Sequence, residues 1–254
     1  MKRVWLLSFL IIGLLSATLP GCGKVSIGNG SDESPANVVG DEVSKSGWRG
    51  RSIVADCVVT FYTADGSTYL SEQRHTIRPE SQVLEISANE PRGRFKWKLS
   101  RGDFQVIAGA VKLNDLPIAV CDRNAAKLIL TSVTVASGMS TELGVSSELA
   151  KIRGRWYSII RVGPGRSYSK TLKNIEVPWA ELTLYGDSDS GMIERVTIED
   201  TESGLTLTAH SYNFWWLKEI SRSIPTKIDV FKTDKAGRER ERILQVNYHT
   251  VKAL

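Results

Sequence analysis

This chain of 254 residues contains little of what most enzymes and metal proteins require. It has three histidines, His75, His210 and His249, and none lies within metal-ligand spacing of another histidine or of a cysteine. It also lacks the Gly-x-Ser-x-Gly elbow, the phosphate-binding glycine loop that ends in Lys-Ser or Lys-Thr, and the His-Glu-x-x-His motif. We therefore predict a protein that is not an enzyme and that holds no metal or cofactor. The alternative to a protein without catalytic activity is a hydrolase of the cell envelope.

A strong net charge and a second long apolar run are also missing. The 33 basic and 28 acidic residues give a formal charge of +5, too little to indicate a nucleic-acid partner. The single long apolar run is Val4–Ala17, which follows Lys2 and Arg3. It is roughly 14 residues long, whereas a membrane-spanning helix needs about 20. The pattern predicts a removable export signal.

The signal ends at Leu19-Pro20-Gly21-Cys22, which resembles the lipobox of bacterial lipoproteins. The resemblance implies cleavage before Cys22, lipidation of that cysteine, and a lipid-anchored position in the cell envelope facing the periplasm. Because Gly23 stands where the sorting signal for inner-membrane retention has aspartate, the outer membrane is favoured. The alternative is that Cys22 is an unpaired thiol after an ordinary secretory signal.

The composition divides the chain into three segments. Residues 1–21 are the predicted signal peptide, and 22–47, rich in glycine, serine and acidic residues, read as a lipidated flexible tether. Residues 48–254 have the composition of one globular domain. Within that domain the remaining cysteines, Cys57 and Cys121, form a possible disulfide in an oxidising compartment. The alternative is two separate buried thiols.

Most of the domain shows the alternation of apolar and polar residues that is typical of β-strands. The predicted strands are Val54–Thr63, Thr68–Ile77, Val83–Ile86, Phe95–Leu99, Phe104–Ala108, Trp156–Val162, Ala180–Tyr185, Met192–Glu199, Leu205–Phe214, Lys227–Lys232 and Arg242–Val251. Helical spacing predicts a helix over Asp122–Val135 and a second short helix over Ser146–Ile152. The predicted fold class is α+β, mainly antiparallel β, with a strongly curved half-barrel sheet covered by short helices.

The C-terminal part resembles periplasmic lipoprotein-carrier proteins of the LolA and LolB type. The resemblance rests on Leu182–Asp187, on Ser190–Ile193, on Ser211–Phe214 at the end of a threonine-rich strand, and on Ile224-Pro225 opening the penultimate strand. It implies a half-barrel around an apolar cavity that accepts acyl chains. The predicted function is therefore an envelope lipoprotein that binds a lipid, a lipoprotein acyl chain or another apolar ligand. The alternative is a scaffolding or interaction lipoprotein with a solid core.

Period-two spacing places two apolar trios each on one face of a strand, and these are the predicted ligand-binding residues. They are Phe95, Trp97, Leu99, Leu244, Val246 and Tyr248. The other large rings, Trp156, Trp179, Trp215 and Trp216, are most simply core residues. Trp215 and Trp216 are adjacent, however, and neighbouring residues of a strand point to opposite faces. One of the two must lie under another element or be exposed, and an exposed ring beside Lys218 would suit a membrane or a partner protein.

Overall fold

The computed structural model describes residues 50–90, 93–101, 103–109, 123–136, 148–163, 175, 177–234 and 237–254. Cys22, the signal peptide, the tether and Cys121 lie outside these residues, so the predictions made for them stay predictions. The elements in chain order are β1 Ile53–Tyr62, β2 Thr68–Arg78, β3 Val83–Glu90, β4 Gly93–Ser100, β5 Asp103–Gly109, α1 Arg123–Val135, β6 Glu148–Ile152, β7 Arg155–Val162, β8 Ala180–Asp187, β9 Ile193–Asp200, β10 Thr206–Leu217, β11 Arg222–Thr233 and β12 Glu239–Ala253.

The strands form one antiparallel sheet in the order β5-β4-β3-β2-β1-β12-β11-β10-β9-β8-β7-β6. This order consists of two meanders, β1–β5 and β6–β12, which are joined where β1 pairs with β12. The chain must therefore cross from one end of the sheet, at β5, to the other, at β6. Helix α1 lies on this crossing and packs against one face of the sheet, which we call the inner face.

The sheet is strongly curved around α1. The helix contacts β9, β10 and β11, and it also contacts β3 and β4, which lie in the other half of the strand order. A flat sheet could not bring both sets of strands to one helix, since neighbouring strands lie about 4.8 Å apart. The predicted curved, mainly antiparallel sheet is therefore confirmed.

The predicted cover of several short helices needs correction. Within the described residues, α1 is the one α-helix on the inner face. The predicted helix over Ser146–Ile152 is wrong for its described part, since Glu148–Ile152 is strand β6, paired with β7. The reason lies in the turn that follows. Arg153 and Gly154 have φ angles of 48° and 88°, and two successive residues of positive φ form the tight turn that joins hairpin strands.

The alternating pattern of each strand divides the sheet into a dry face and a wet face. In β1 the inner-face residues Ile53, Ala55, Cys57, Val59 and Phe61 are all buried, and the residues between them are partly exposed. The buried apolar residues of β1–β4, α1 and β7–β12 form a single hydrophobic core. The candidate site therefore lies between α1 and the inner face.

The hairpin formed by β10 and β11 extends beyond its neighbours. Strand β9 pairs with β10 only as far as His210, and β12 pairs with β11 only from Lys227 onward. Residues Phe214–Leu217 and Arg222–Pro225 thus pair with each other alone among the described strands, and we call them the ribbon. Pro225 lies in the ribbon, where its missing N–H removes no bond to a second neighbouring strand.

Candidate functional site

The structure buries all six predicted ligand-binding residues in the same core. Trp97 pairs with Ile86 of β3, and Val246 pairs with Val59 of β1. The two trios share the inner face, but β3, β2 and β1 separate β4 from β12. The trios are therefore about 19 Å apart measured across the strands, at about 4.8 Å per strand. A ligand that touches both would have to lie across the sheet.

The space between α1 and the sheet is small in this structure. The cavity found there measures about 20 Å³ and is lined by Val59, Phe61, Gln73, Ile86, Ala125, Ala126, Ile129 and Leu244. Ligand pockets are usually about 300 Å³ or larger. Leu244 is the one predicted ligand-binding residue that lines this cavity. An acyl chain would therefore have to displace α1 from the inner face.

Helix α1 holds polar groups against the core. Lys127 is buried, its Nζ donates a hydrogen bond of 3.2 Å to Oε1 of Gln82, and burial lowers the pKa of its ammonium group to about 8. The hydroxyl oxygens of Thr131 and Ser132 are buried and have no hydrogen-bond partner among the described residues. Each such unpaired group costs about 1 to 3 kcal/mol relative to its exposure to water. The packing of α1 on the sheet is therefore weaker than its buried area implies.

A second polar group lies on the inner face itself, in the middle of the sheet. Nδ1 of His75 lies 3.0 Å from the hydroxyl oxygen of Tyr248, and its Nε2 lies 3.0 Å from Oε1 of Gln73. Nε2 of Gln73 donates in turn to the hydroxyl of Ser71, at 3.0 Å. Burial lowers the pKa of His75 to about 4, so the imidazole is neutral near neutral pH. This network occupies inner-face positions that alternation alone would assign to apolar residues.

Cys57 belongs to the same region of the inner face. It is buried, its Sγ donates a hydrogen bond of 3.5 Å to the backbone oxygen of Gln73, and burial raises its pKa. Its predicted partner, Cys121, lies outside the described residues. The disulfide therefore stays a prediction.

A larger pocket lies on the opposite face of the sheet. It measures about 500 Å³ and is lined by Ile152, Arg153, Arg155, Tyr157, Tyr185, Glu194, Arg195, His210, Ser211, Tyr212, Asn213, Phe214 and Glu239. Arginine and aromatic side chains supply most of its wall. Sequence reasoning missed this pocket, because its residues come from six strands and from the turn between β6 and β7. No spacing along the chain shows that they meet.

The five tryptophans considered above divide into two groups. Trp97 and Trp179 are buried, as expected of core residues. Trp156, Trp215 and Trp216 are exposed, and the exposed fractions of the last two are 50% and 62%. The expectation of core packing is therefore wrong for Trp156 and for both members of the Trp215–Trp216 pair.

In the part of the chain that the structure describes, no group of three or more histidine, cysteine, aspartate or glutamate side chains is arranged to hold a metal ion. No helix in that part is long and apolar enough to cross a membrane.

No protein-family model and no curated protein matches this chain. Several solved structures, however, are similar to it. A LolA-superfamily protein from Nitrosomonas europaea aligns with a TM-score of 0.50 at 12% identity, over 85% of this chain and 92% of that one. A structure described as an outer membrane lipoprotein-sorting protein domain, from Vibrio parahaemolyticus, aligns with a TM-score of 0.48 at 12% identity, over 85% and 91%. The likeness to the Nitrosomonas europaea structure shows that the chain has a LolA-like fold, as its C-terminal motifs predict.

Proposed function

We propose that this protein binds a lipid, a lipoprotein acyl chain or another apolar ligand on the inner face of its curved sheet. The observation that carries the proposal is the inner face itself, an apolar surface that curves around one helix held there over unpaired polar groups. The LolA-like fold supports it. In this proposal the structure is the closed state, and the ligand replaces α1 as the cover of the inner face.

The ligand would contact the residues that α1 and its neighbours now shield. These are the trio Phe95, Trp97 and Leu99 on β4 and the trio Leu244, Val246 and Tyr248 on β12. The polar groups of α1 favour opening, because Lys127, Thr131 and Ser132 would regain water when the helix leaves the sheet. Opening and ligand binding are then coupled, and any change that stabilises the closed state lowers the affinity for the ligand.

The test uses the uncharged fluorescent probe N-phenyl-1-naphthylamine and the chain from Gly23 onward. Saturable uptake is expected. Lys127→Met removes the buried ammonium and stabilises the closed state. The affinity for the probe should therefore fall about tenfold. Lys252→Met, at an exposed position on β12, is the matched control and should leave affinity unchanged.

The pH dependence gives an independent check on the helix. The pKa of Lys127 is about 8 in the closed state and would return toward 10.5 on exposure. The open state then binds more protons across this window, so probe affinity should fall as pH rises from about 8 to 10.5. The Lys127→Met variant should show no such fall. Equal affinities for wild type and this variant, at every pH, would show that α1 does not move.

The second candidate is an interaction protein with a solid core, and the cavity of only about 20 Å³ favours it. A folded protein that takes up no probe would support this candidate and overturn the first.

We also propose that the domain is tethered to an envelope membrane through lipidated Cys22, with the outer membrane favoured. Cys22→Ser should move the protein from the membrane fraction to the soluble fraction, because the acyl chains require the thiol. Fractionation after salt and carbonate washes measures this. Retention of the variant in the membrane pellet would contradict the lipoprotein assignment.

A further inference from the structure

The pocket on the face opposite α1 is built from side chains that alternate with core residues. Arg195 pairs with Tyr185 of β8 and with His210 of β10, so the three side chains stand in one row across the sheet. Their strand neighbours Leu184, Val196 and Ala209 are buried on the inner face. One wall of the pocket is the turn between β6 and β7, and the other is the base of the ribbon.

The arginines that line the pocket outnumber the carboxylates that line it. Arg155 is paired, since its guanidinium lies 3.1 Å and 3.2 Å from the two carboxylate oxygens of Glu194 and 3.0 Å from Asp187. Arg195 instead lies over the ring of Tyr185, 4.6 Å from its centroid, and its buried Nε has no hydrogen-bond partner among the described residues.

Arg153 adds a second charge that no described carboxylate neutralises. It lies in the β6–β7 turn, is exposed, and forms no ion pair with the described residues. Burial lowers the pKa of His210, and the charges of Arg195 and Arg153 lower it further, whereas its contact with Glu239 raises it. The potential at the pocket is therefore set partly by two arginines whose guanidinium groups are free to bind an anion.

The surroundings of the pocket indicate where the anion comes from. Trp215 and Trp216 lie on the ribbon directly after Phe214, which lines the pocket, and both rings are exposed. Trp156 is also exposed, but it alternates with the pocket residues Arg155 and Tyr157 along β7 and so points away from the pocket. Tryptophan is enriched at the membrane–water interface, and exposed apolar clusters mark contact surfaces. A soluble phosphate compound would leave the exposed rings of Trp215 and Trp216 without a function.

We propose that this pocket binds the phosphate of an anionic phospholipid headgroup through Arg153 and Arg195, while Trp215 and Trp216 enter the interfacial layer of the membrane. Guanidinium groups bind phosphate oxygens in a bidentate geometry, and the pocket volume of about 500 Å³ is sufficient for a headgroup. The site is independent of ligand binding on the inner face, since the two lie on opposite faces of the sheet. It would orient the tethered domain on the lipid surface.

The test measures the binding of the chain from Gly23 onward, without the signal segment and Cys22, to vesicles of phosphatidylcholine, with and without phosphatidylglycerol. The double variant Arg153→Gln/Arg195→Gln should lower binding to the vesicles that contain phosphatidylglycerol about 30-fold, and should leave binding to pure phosphatidylcholine unchanged. The matched control, Arg94→Gln/Arg101→Gln, removes the same charge at exposed positions on β4 and the turn after it, at least seven strands from Arg153 and Arg195. It should bind as the parent does.

The aromatic arm uses Trp215→Ser/Trp216→Ser, whose side chains are exposed, so that thermal unfolding should be unchanged. This variant should bind both kinds of vesicle more weakly. An equal loss in the two arginine double variants would overturn the proposal, because it would show a response to net charge alone. Saturable binding of inorganic phosphate without any preference for vesicles containing phosphatidylglycerol would also overturn it, in favour of a soluble ligand.

Discussion

Trp97→Ala is expected to lower the free energy of unfolding by about 3 to 5 kcal/mol, the usual cost of truncating a buried tryptophan. The indole is 1% exposed and stacks on Phe95 with a centroid distance of 5.4 Å. It sits between Ile86 of β3 and Val106 of β5, so truncation leaves a cavity bounded by three strands. Chemical denaturation measures the loss. In protein that remains folded, probe binding should weaken by about 1 kcal/mol or more.

Trp97→Phe is the control that separates ring packing from hydrogen bonding. The indole Nε1 of Trp97 is buried and has no hydrogen-bond partner among the described residues. Its removal relieves an unsatisfied donor, which offsets the smaller ring, so the net change should be about 1 kcal/mol or less. A loss as large as that of the alanine variant would mean that the N–H group has a partner that contributes to stability.

Acid should destabilise the protein through His75 by about 3 kcal/mol between neutral pH and pH 4. The folded-state pKa of this imidazole is about 4, below its ordinary value of 6.5, because burial disfavours the charged form. The stability that it contributes is thus fully present above pH 6.5 and is lost as pH falls from 6.5 toward 4. Urea unfolding at a series of pH values measures the slope.

The matched variant for this prediction is His75→Gln, which does not titrate but retains polar atoms near Tyr248 and Gln73. Protonation of carboxylates elsewhere also destabilises the protein in acid. The informative quantity is therefore the difference between the pH slopes of the wild-type protein and the variant. The wild-type protein should lose about 3 kcal/mol more than the variant over this range. Parallel curves would show that His75 is hydrated and titrates in the folded protein as it does in the unfolded chain.

The strands could be predicted from the sequence because alternation is a local signal. Phe95, Trp97 and Leu99 fall on one face, as predicted, since three residues at a spacing of two suffice to show it. The helix over Asp122–Val135 was also found, with α1 at Arg123–Val135. The segment at Glu148–Ile152 was misassigned because five residues hold too little periodicity, and the positive φ angles of Arg153 and Gly154 decided its structure.

The burial of α1 could not be predicted in the same way. Its apolar spacing indicates one buried face, but Asn124, Lys127, Thr131 and Ser132 are buried as well. A helix is buried on several sides only when surfaces approach it from several directions, and here β3–β4 and β9–β11 do so because the sheet curves. Curvature of this kind follows from the pairing of distant strands, which no single segment encodes.

The pocket on the face opposite α1 was even less predictable from the sequence. Arg153 and Arg195 are brought together by the pairing of β6 through β10, and neither residue belongs to a motif. The adjacent pair Trp215–Trp216 was the one local signal. Its two rings cannot share one face of a strand, so at least one of them required an explanation outside the core.

The pairing of β1 with β12 sets a constraint on when this protein can fold. Cys57 pairs with Tyr248 across that ladder, which among the described strands is the one junction between the two meanders of the sheet. The first five strands therefore gain their central neighbour only after β12 has been synthesised. Such a high contact order implies slow folding, since distant segments must find each other before the core closes. The protein should therefore acquire its core as a late, cooperative event.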